Sequence, residues 1–164
     1  MAISNLNGLF VHLLKDIYYA EKQIVKALPD MISKADSSEL SDLLSAHKDE
    51  THNQITRLEK VFDSIGEDAK GEKCPAIEGI LKETRELMDE IDDADTLDAA
   101  MIAAAQAVEH YEITRYGTLI TWAAELSLDK EVTNLLRDTL SEEDSADEKL
   151  TALAEERLNE KANS

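Results

Sequence analysis

The residues of this chain whose types and spacing could do chemistry are mostly acids: Glu21, Glu50, Glu109, Glu112, Glu143 and Asp147, with His47 and Gln54 among them. Carboxylates presented by several helices, with an imidazole or amide to complete the shells, can chelate and bridge two divalent cations. A donor set rich in oxygen and poor in sulfur and imidazole suits iron, with manganese the alternative. Two Fe(II) ions held in this way would react with peroxide or dioxygen at an open position.

That these side chains meet follows from extending each apolar stripe through its middle. Residues three and four apart share a helix face, so a polar residue bracketed by core residues at that spacing is carried inward. Phe10, Leu14, Ile17, Glu21, Ile24 and Leu28 form such a series and force Glu21 into the interior. Leu40, Leu43, His47, Glu50, Gln54, Leu58 and Val61 put three polar residues together. Val132, Leu136, Thr139, Glu143, Asp147, Leu150 and Leu153 place two more acids inward. In the string VEHYE, Glu109 and Glu112 share a face, and at least one must point to the axis.

An unpaired buried carboxylate costs several kcal/mol, against a net domain stability of roughly 5 to 15 kcal/mol. Four helices making that error at one level need compensation, and a pair of cations supplies it. A metal-free alternative pairs the acids with Arg115, with the hydroxyls of Tyr18, Tyr19, Tyr111 or Tyr116, or with His47. Glu112 and Arg115 stand at the three-residue spacing of a helical ion pair. His110, beside Glu109, is read as a packing or supporting histidine, and His52 lies off the stripe.

Four long helices must carry these positions. Residues 4 to 28 make the first, with Ser4 or Asn5 as N-cap and Pro29 no abrupt stop. The second is opened by Ser37 or Ser38 and closed by Gly66. Residues 66 to 75, GEDAKGEKCP, hold two Gly and a Pro and predict a loop. A short helix with the stripe Ile77, Ile80, Leu81, Thr84, Leu87, Met88 and Ile91 then crosses between the second and third main helices.

Asp95 or Thr96 caps the third, which runs to about Leu126 and is so rich in Ala that backbones can approach it on nearly all sides. Ser127 to Asp129 lead to a fourth helix marked by Val132, Leu135, Leu136, Leu140, Leu150, Leu153 and Leu158, with NEKANS as a frayed tail. The expected fold is all-α: an antiparallel four-helix bundle with a short extra helix in the crossover between helices 2 and 3, in a single domain over residues 1–164.

The composition agrees and excludes several functions. With 164 residues, 43 % hydrophobic content and only 5 Gly and 2 Pro, one helical domain with a continuous core is expected. A formal net charge of −19, from 36 acidic and 17 basic residues, opposes binding to nucleic acid or an anionic membrane and favours cations. Most of these acids are the solvated faces of helices. No apolar run approaches the roughly 20 residues of a membrane span. Cys74 has no partner for an intramolecular disulfide and is read as incidental. The start, MAISNLNGLFVHLLKD, lacks the pattern of an export signal, so a cytoplasmic location is expected.

The strings HLLKDIYYAEKQ, AHKDETHNQ, AAAQAVEHYEITRYGTL and TLSEEDSADEKLTALA resemble the YciF-like, or YciE/YciF, group of ferritin-like bacterial stress proteins, and the similarity covers nearly the whole chain. The resemblance implies a ferritin-like fold related to the rubrerythrins, a homodimer, and an association with stress responses. The usual ferritin-like pattern has a lone Glu on the first and third helices and Glu-x-x-His on the second and fourth. Here Glu50 is followed three residues on by Asn53, and Glu143 by Ala146. His47 and Gln54 on the second helix and Asp147 on the fourth are the substitutes.

The leading expectation is a stress protein with a carboxylate-rich di-iron centre that acts as a ferroxidase or consumes peroxide. As an enzyme it would be a di-iron oxidoreductase, with Tyr18, Tyr19 and Tyr111 supplying electrons or protons. The alternative is a non-catalytic dimeric stress protein with a structural or vestigial metal site. A mineral-storing cage has no identifiable interfaces in the sequence.

Overall fold

In the computed structural model, which describes residues 3–163 apart from the side chain of Arg157, every regular element is helical. Met1, Ala2 and Ser164, the ends of the expected domain, lie outside the described residues. α1 spans Leu6–Lys34, α2 Ser38–Ile65, α3 Pro75–Glu90, α4 Ala94–Glu125 and α5 Lys130–Leu153. A π-helical turn, Ala154–Leu158, and a last turn, α6 (Asn159–Ala162), follow.

Local chemistry sets the ends. α1 starts at Asn5, whose Oδ1 accepts from the Gly8 N–H at 2.8 Å. It continues past its apolar stripe through Pro29 to Lys34. Pro29 forgoes one intrahelical bond but stands on the exposed side, and the helix resumes to bury Met31. Ser37 caps α2, and Gly66 closes it with a φ of 71°, the left-handed conformation that a residue without Cβ adopts at no steric cost. α4 is capped by Asp93 rather than by Asp95 or Thr96, because the Asp93 carboxylate accepts both the N–H and the hydroxyl of Thr96, at 2.9 and 2.6 Å.

The four long helices close a ring in which α1 packs on α2 and α4, and α5 packs on the same two. The connections 35–37 and 126–129 are so short that each pair they join runs antiparallel. α3 lies outside the ring against α4 and α1. α4 therefore has neighbours on most sides, but its Ala-rich surface is not wholly covered: Ala103, Ala107, His110 and Thr114 form an exposed stripe. The C-terminal segment is not frayed, since the π turn carries Leu158 to 1 % exposure and α6 packs on α4.

Phe10, Leu14, Ile17, Leu40, Leu44, Leu58, Phe62 and Leu119 fill the ring above and below its middle, and burying each such side chain contributes about 1.5–3 kcal/mol. One interior acid has a purely architectural place. Asp98 accepts from the Asp36 and Ser37 N–H groups at 3.0 and 2.7 Å and so fastens the α1–α2 corner to α4. Charge-assisted bonds at a helix start are among the stronger ones. Asp98→Ala leaves both donors without their acceptor and is expected to cost about 2 kcal/mol, read as a lower urea midpoint with an unchanged slope.

Candidate metal centre

At mid-height of the ring, His47 of α2, Glu109 and Glu112 of α4, and Glu143 of α5 each turn a ligand atom towards one point, the four atoms lying within 4.8 Å of one another. Glu21 of α1 is equally buried and touches Glu112. The Tyr116 hydroxyl donates to Glu21, and the Gln54 amide donates to Glu143. Helical register explains the convergence. Leu44, His47, Thr51, Gln54 and Leu58 make the buried row of α2, and Ala105, Glu109, Glu112, Tyr116 and Leu119 that of α4.

Among the described residues, nine buried side-chain nitrogen and oxygen atoms have no hydrogen-bond partner, and eight belong to Glu21, His47, Gln54, Glu109, Glu112 and Glu143. Glu109 lies against Glu143, and Glu112 against Glu21. Such contacts between carboxylates hold only with a proton or a cation between them. Burial, reinforced by the Glu143 charge and opposed by the Tyr116 hydrogen bond, pushes Glu21 up to about 8. Burial and then the neighbouring acids, Glu143 foremost, raise Glu109 and Glu112 as well.

Burial lowers His47, which keeps its imidazole in the neutral form that ligates metals. Its Nδ1 is 3.5 Å from Glu109, and neither ring nitrogen makes a hydrogen bond. Desolvated carboxyl oxygens and an idle imidazole, gathered without a protein cation among them, are a donor set that fits divalent metal.

The expected partner Arg115 does not supply that cation. It lies over the Tyr111 ring at 5.0 Å and approaches Asp16 at 3.9 Å, because Glu112 faces the axis and Arg115, three residues on, falls on the flank. Of the hydroxyls that might have answered the acids, only that of Tyr116 reaches them. Tyr18 donates to Glu59 at 2.8 Å, Tyr19 to Glu78 at 2.5 Å, and Tyr111 to Asp16 at 2.7 Å. Cys74 is not incidental: its buried Sγ accepts the Ile77 N–H at the start of α3 and sits 3.1 Å from the Tyr111 hydroxyl.

Two acids of the stripe analysis stop short of the cluster. Glu50 is half-buried at the mouth of a cavity, since Thr51 takes the inward place on α2. Asp147 is half-buried on the seam between α5 and α4, accepting from Gln106 at 3.1 Å and facing Nε2 of the exposed His110 at 3.1 Å. Gln54, by contrast, is fully buried and holds Glu143.

Behind Gln54 stands a support absent from the sequence reading. Arg57 clasps Glu142 through both terminal guanidinium nitrogens, each at 2.6 Å, and Glu142 accepts from Gln54 at 3.1 Å. The available signal was that Arg57 follows Gln54 by three residues and Glu142 adjoins Glu143.

The fold and the cluster together define an all-helical protein whose four long helices focus carboxylates and one imidazole on a buried point. Residues 5–163 match the model of a domain of unknown function, DUF892, and the chain belongs to that family. It is YciF-like: it is 43 % identical over 163 residues to Protein YciF of Escherichia coli strain K12, covering 99 % of this chain and 98 % of that one. The crystal structure of the E. coli stress protein YciF matches with a TM-score of 0.90 at 42 % identity, over 95 % of this chain and 98 % of the other. YcfI of Rhodopseudomonas palustris, to which a structural role is ascribed, matches with a TM-score of 0.88 at 52 % identity, over 91 % and 94 %. No helix among the described residues is long and apolar enough to cross a membrane.

Proposed function

We propose that this chain is a ferritin-like four-helix bundle with α3 in its crossover, holding a dinuclear, carboxylate-ligated metal centre in a stress protein that oxidises Fe(II) or consumes peroxide. Two iron ions are the proposed occupants, with manganese the alternative. The observation that carries this reading is the meeting of ligand atoms from His47, Glu109, Glu112 and Glu143 within 4.8 Å of one another, amid eight buried donor atoms without a hydrogen-bond partner. An octahedral cation takes six donors, and two cations sharing carboxylates accommodate more. His47, Glu109, Glu112 and Glu143 would hold one ion, and Glu21 with Glu112 the second. Its likeness to YciF supports the stress role, and a cytoplasmic homodimer belongs to the same reading.

When bound, two Fe(II) ions supply the electrons that reduce a peroxide bond. The chain's own residues prepare the place. Tyr116 occupies one oxygen of Glu21 and leaves the other idle. Gln54, braced by Glu142 and Arg57, does the same for Glu143. Glu21, with its carboxyl at about 8, can hold or release a proton near neutral pH.

Metal analysis of anaerobically purified protein is expected to find two iron or manganese ions per chain. Fe(II)-dependent peroxide loss is expected to exceed that of free iron by roughly tenfold or more, and to fall to the free-iron rate in Glu112→Gln. Equal rates for wild type and free iron would reject turnover.

One observation favours a second reading, a structural metal site without turnover. The two cavities that touch His47 and Glu109 hold only about 20 Å³ each, room for a single water, which leaves peroxide or dioxygen little space beside a bound metal. This reading predicts bound metal and no peroxide loss.

A further inference from the structure

Both narrow cavities end on His47 and Glu109, but their walls differ in chemistry. One is framed by α1, α2, α3 and α4, and Ile24, Leu28, Met31, Leu44, Leu81 and Val108 make it hydrocarbon until it meets the cluster. A cation passing that way would give up its hydration with nothing to replace it, which is prohibitive. The other lies between α2 and α5, and its otherwise apolar walls, Leu43, Leu44, Ala46, Ala146 and Leu150, also carry Glu50 and Lys149.

Glu50 is half-buried and Lys149 exposed, so the charged pair spans the depth from solvent inwards. At the inner end, His47 is 6 % exposed and offers two ring nitrogens without a hydrogen bond. Ala146, where the ferritin-like pattern calls for histidine, contributes only a methyl to the wall.

We propose that the α2–α5 cavity is the route by which a divalent cation reaches the cluster, with Glu50 as the carboxylate that receives it in passage and Lys149 as the opposing charge at the mouth. This rests on the metal-centre reading above. Glu50 shares the cavity with two cluster residues without belonging to the four whose ligand atoms meet. A carboxylate at that depth replaces hydration water as the ion sheds it. The Lys149 ammonium, on a flexible four-carbon stem, neutralises Glu50 between passages and repels an arriving cation until it swings aside. The net charge of −19 concentrates cations around the whole molecule, and the α2–α5 cavity is where a cation moving inwards meets a carboxylate before it reaches the cluster.

A group that stabilises the ion only in transit changes loading and unloading by the same factor. The test uses Co(II), whose visible absorption reports ligation, mixed by stopped flow with the metal-free full chain, and chelator-driven release from the loaded protein. In Glu50→Gln both rates are expected to fall by roughly tenfold, while affinity and stoichiometry stay within about twofold. Lys149→Gln is expected to accelerate both. Ala146→Leu, which narrows the cavity without touching a charge, is expected to slow uptake.

Unchanged uptake in Glu50→Gln or in Ala146→Leu overturns the route. A weaker affinity or a lost equivalent in Glu50→Gln makes Glu50 a resident ligand and overturns it too. A folded wild-type chain that binds no Co(II) overturns the metal centre itself, and the two failures are thereby distinguished.

Discussion

Adding Fe(II) or Mn(II) to the metal-free protein under anaerobic conditions is expected to raise its stability by about 4 kcal/mol once free cation exceeds the dissociation constant a thousandfold. For a chain of this size that is a rise in Tm of roughly 8–16 °C. The size of the effect comes from what the cation replaces. Without metal the interior buries Glu21, Glu109, Glu112 and Glu143 together with no protein cation, and burial and the neighbouring acids hold the carboxyls of Glu21, Glu109 and Glu112 well above their ordinary range.

Metal converts that liability into ligation, and a chelator is expected to return the melting curve to its starting point. Glu112→Gln removes a fully buried acid whose two oxygens have no partner. It is expected to melt higher than the metal-free wild type at neutral pH and to gain little from cation. A wild-type Tm indifferent to Fe(II), Mn(II) and chelator would dismiss the centre.

The second large effect is on pH. Glu21 folds with its carboxyl at about 8, above the ordinary value of 4.5, so the folded state binds a proton that the unfolded chain has already released. Its contribution to stability is complete below the unfolded value and disappears as pH rises through the folded one. Glu109 and Glu112, raised for the same reason, act in the same direction. His47, lowered by burial, acts at the other end: its contribution is present above the ordinary imidazole value of 6.5 and is lost as pH falls.

Between about pH 7 and about pH 9 the buried acids act together with the Cys74 thiol, which burial also raises, because ordinary carboxyls have finished ionising there and ordinary lysines have not begun to lose their protons. The metal-free protein is therefore expected to lose a few kcal/mol across that window, seen as a falling Tm. Glu21→Gln should flatten the fall. In the metal-loaded protein the slope is expected to vanish or reverse, since binding displaces protons and so strengthens as pH rises. A metal-free Tm that holds level from about pH 7 to about pH 9 would refute the buried, protonated cluster.

Much of this was legible in the residues. The start of α1 and both ends of α2 are written in Asn5, Ser37 and Gly66, because a cap satisfies or frees the backbone within a few positions of itself, whereas α1 runs on to Lys34, past the expected end at residue 28. Asp93 was harder, since acids at 92, 93 and 95 all offer a carboxylate and only the geometry of the turn selects one. Glu21, His47, Gln54 and Glu143 sit in the middle of their stripes, where the period of a single helix is enough to bury them, whereas the Ala-rich α4 left open which of Glu109 and Glu112 turns inward and the structure buries both. Asp98 and the Arg57–Glu142 clasp escaped because their partners are 61 or more residues away in the chain, beyond anything periodicity reports.

Glu50 and Asp147, which the stripes carry inward but the structure leaves half-buried, divide what the sequence by itself determined from what only the tertiary structure decided. Composition and period established that the chain is helical and that carboxylates are carried to the middle of its long helices. A side chain on the flank of a stripe, however, turns wherever the neighbouring helix leaves room or offers a partner. Gln106 and His110 draw Asp147 to the α4–α5 seam, Tyr111 and Asp16 draw Arg115 away from Glu112, and Thr51 leaves Glu50 at the cavity mouth. One helix's own geometry sets the inward direction. The packing of the other three sets which flanking residues reach the centre, and so which acids could bind metal and which one stands on the way in.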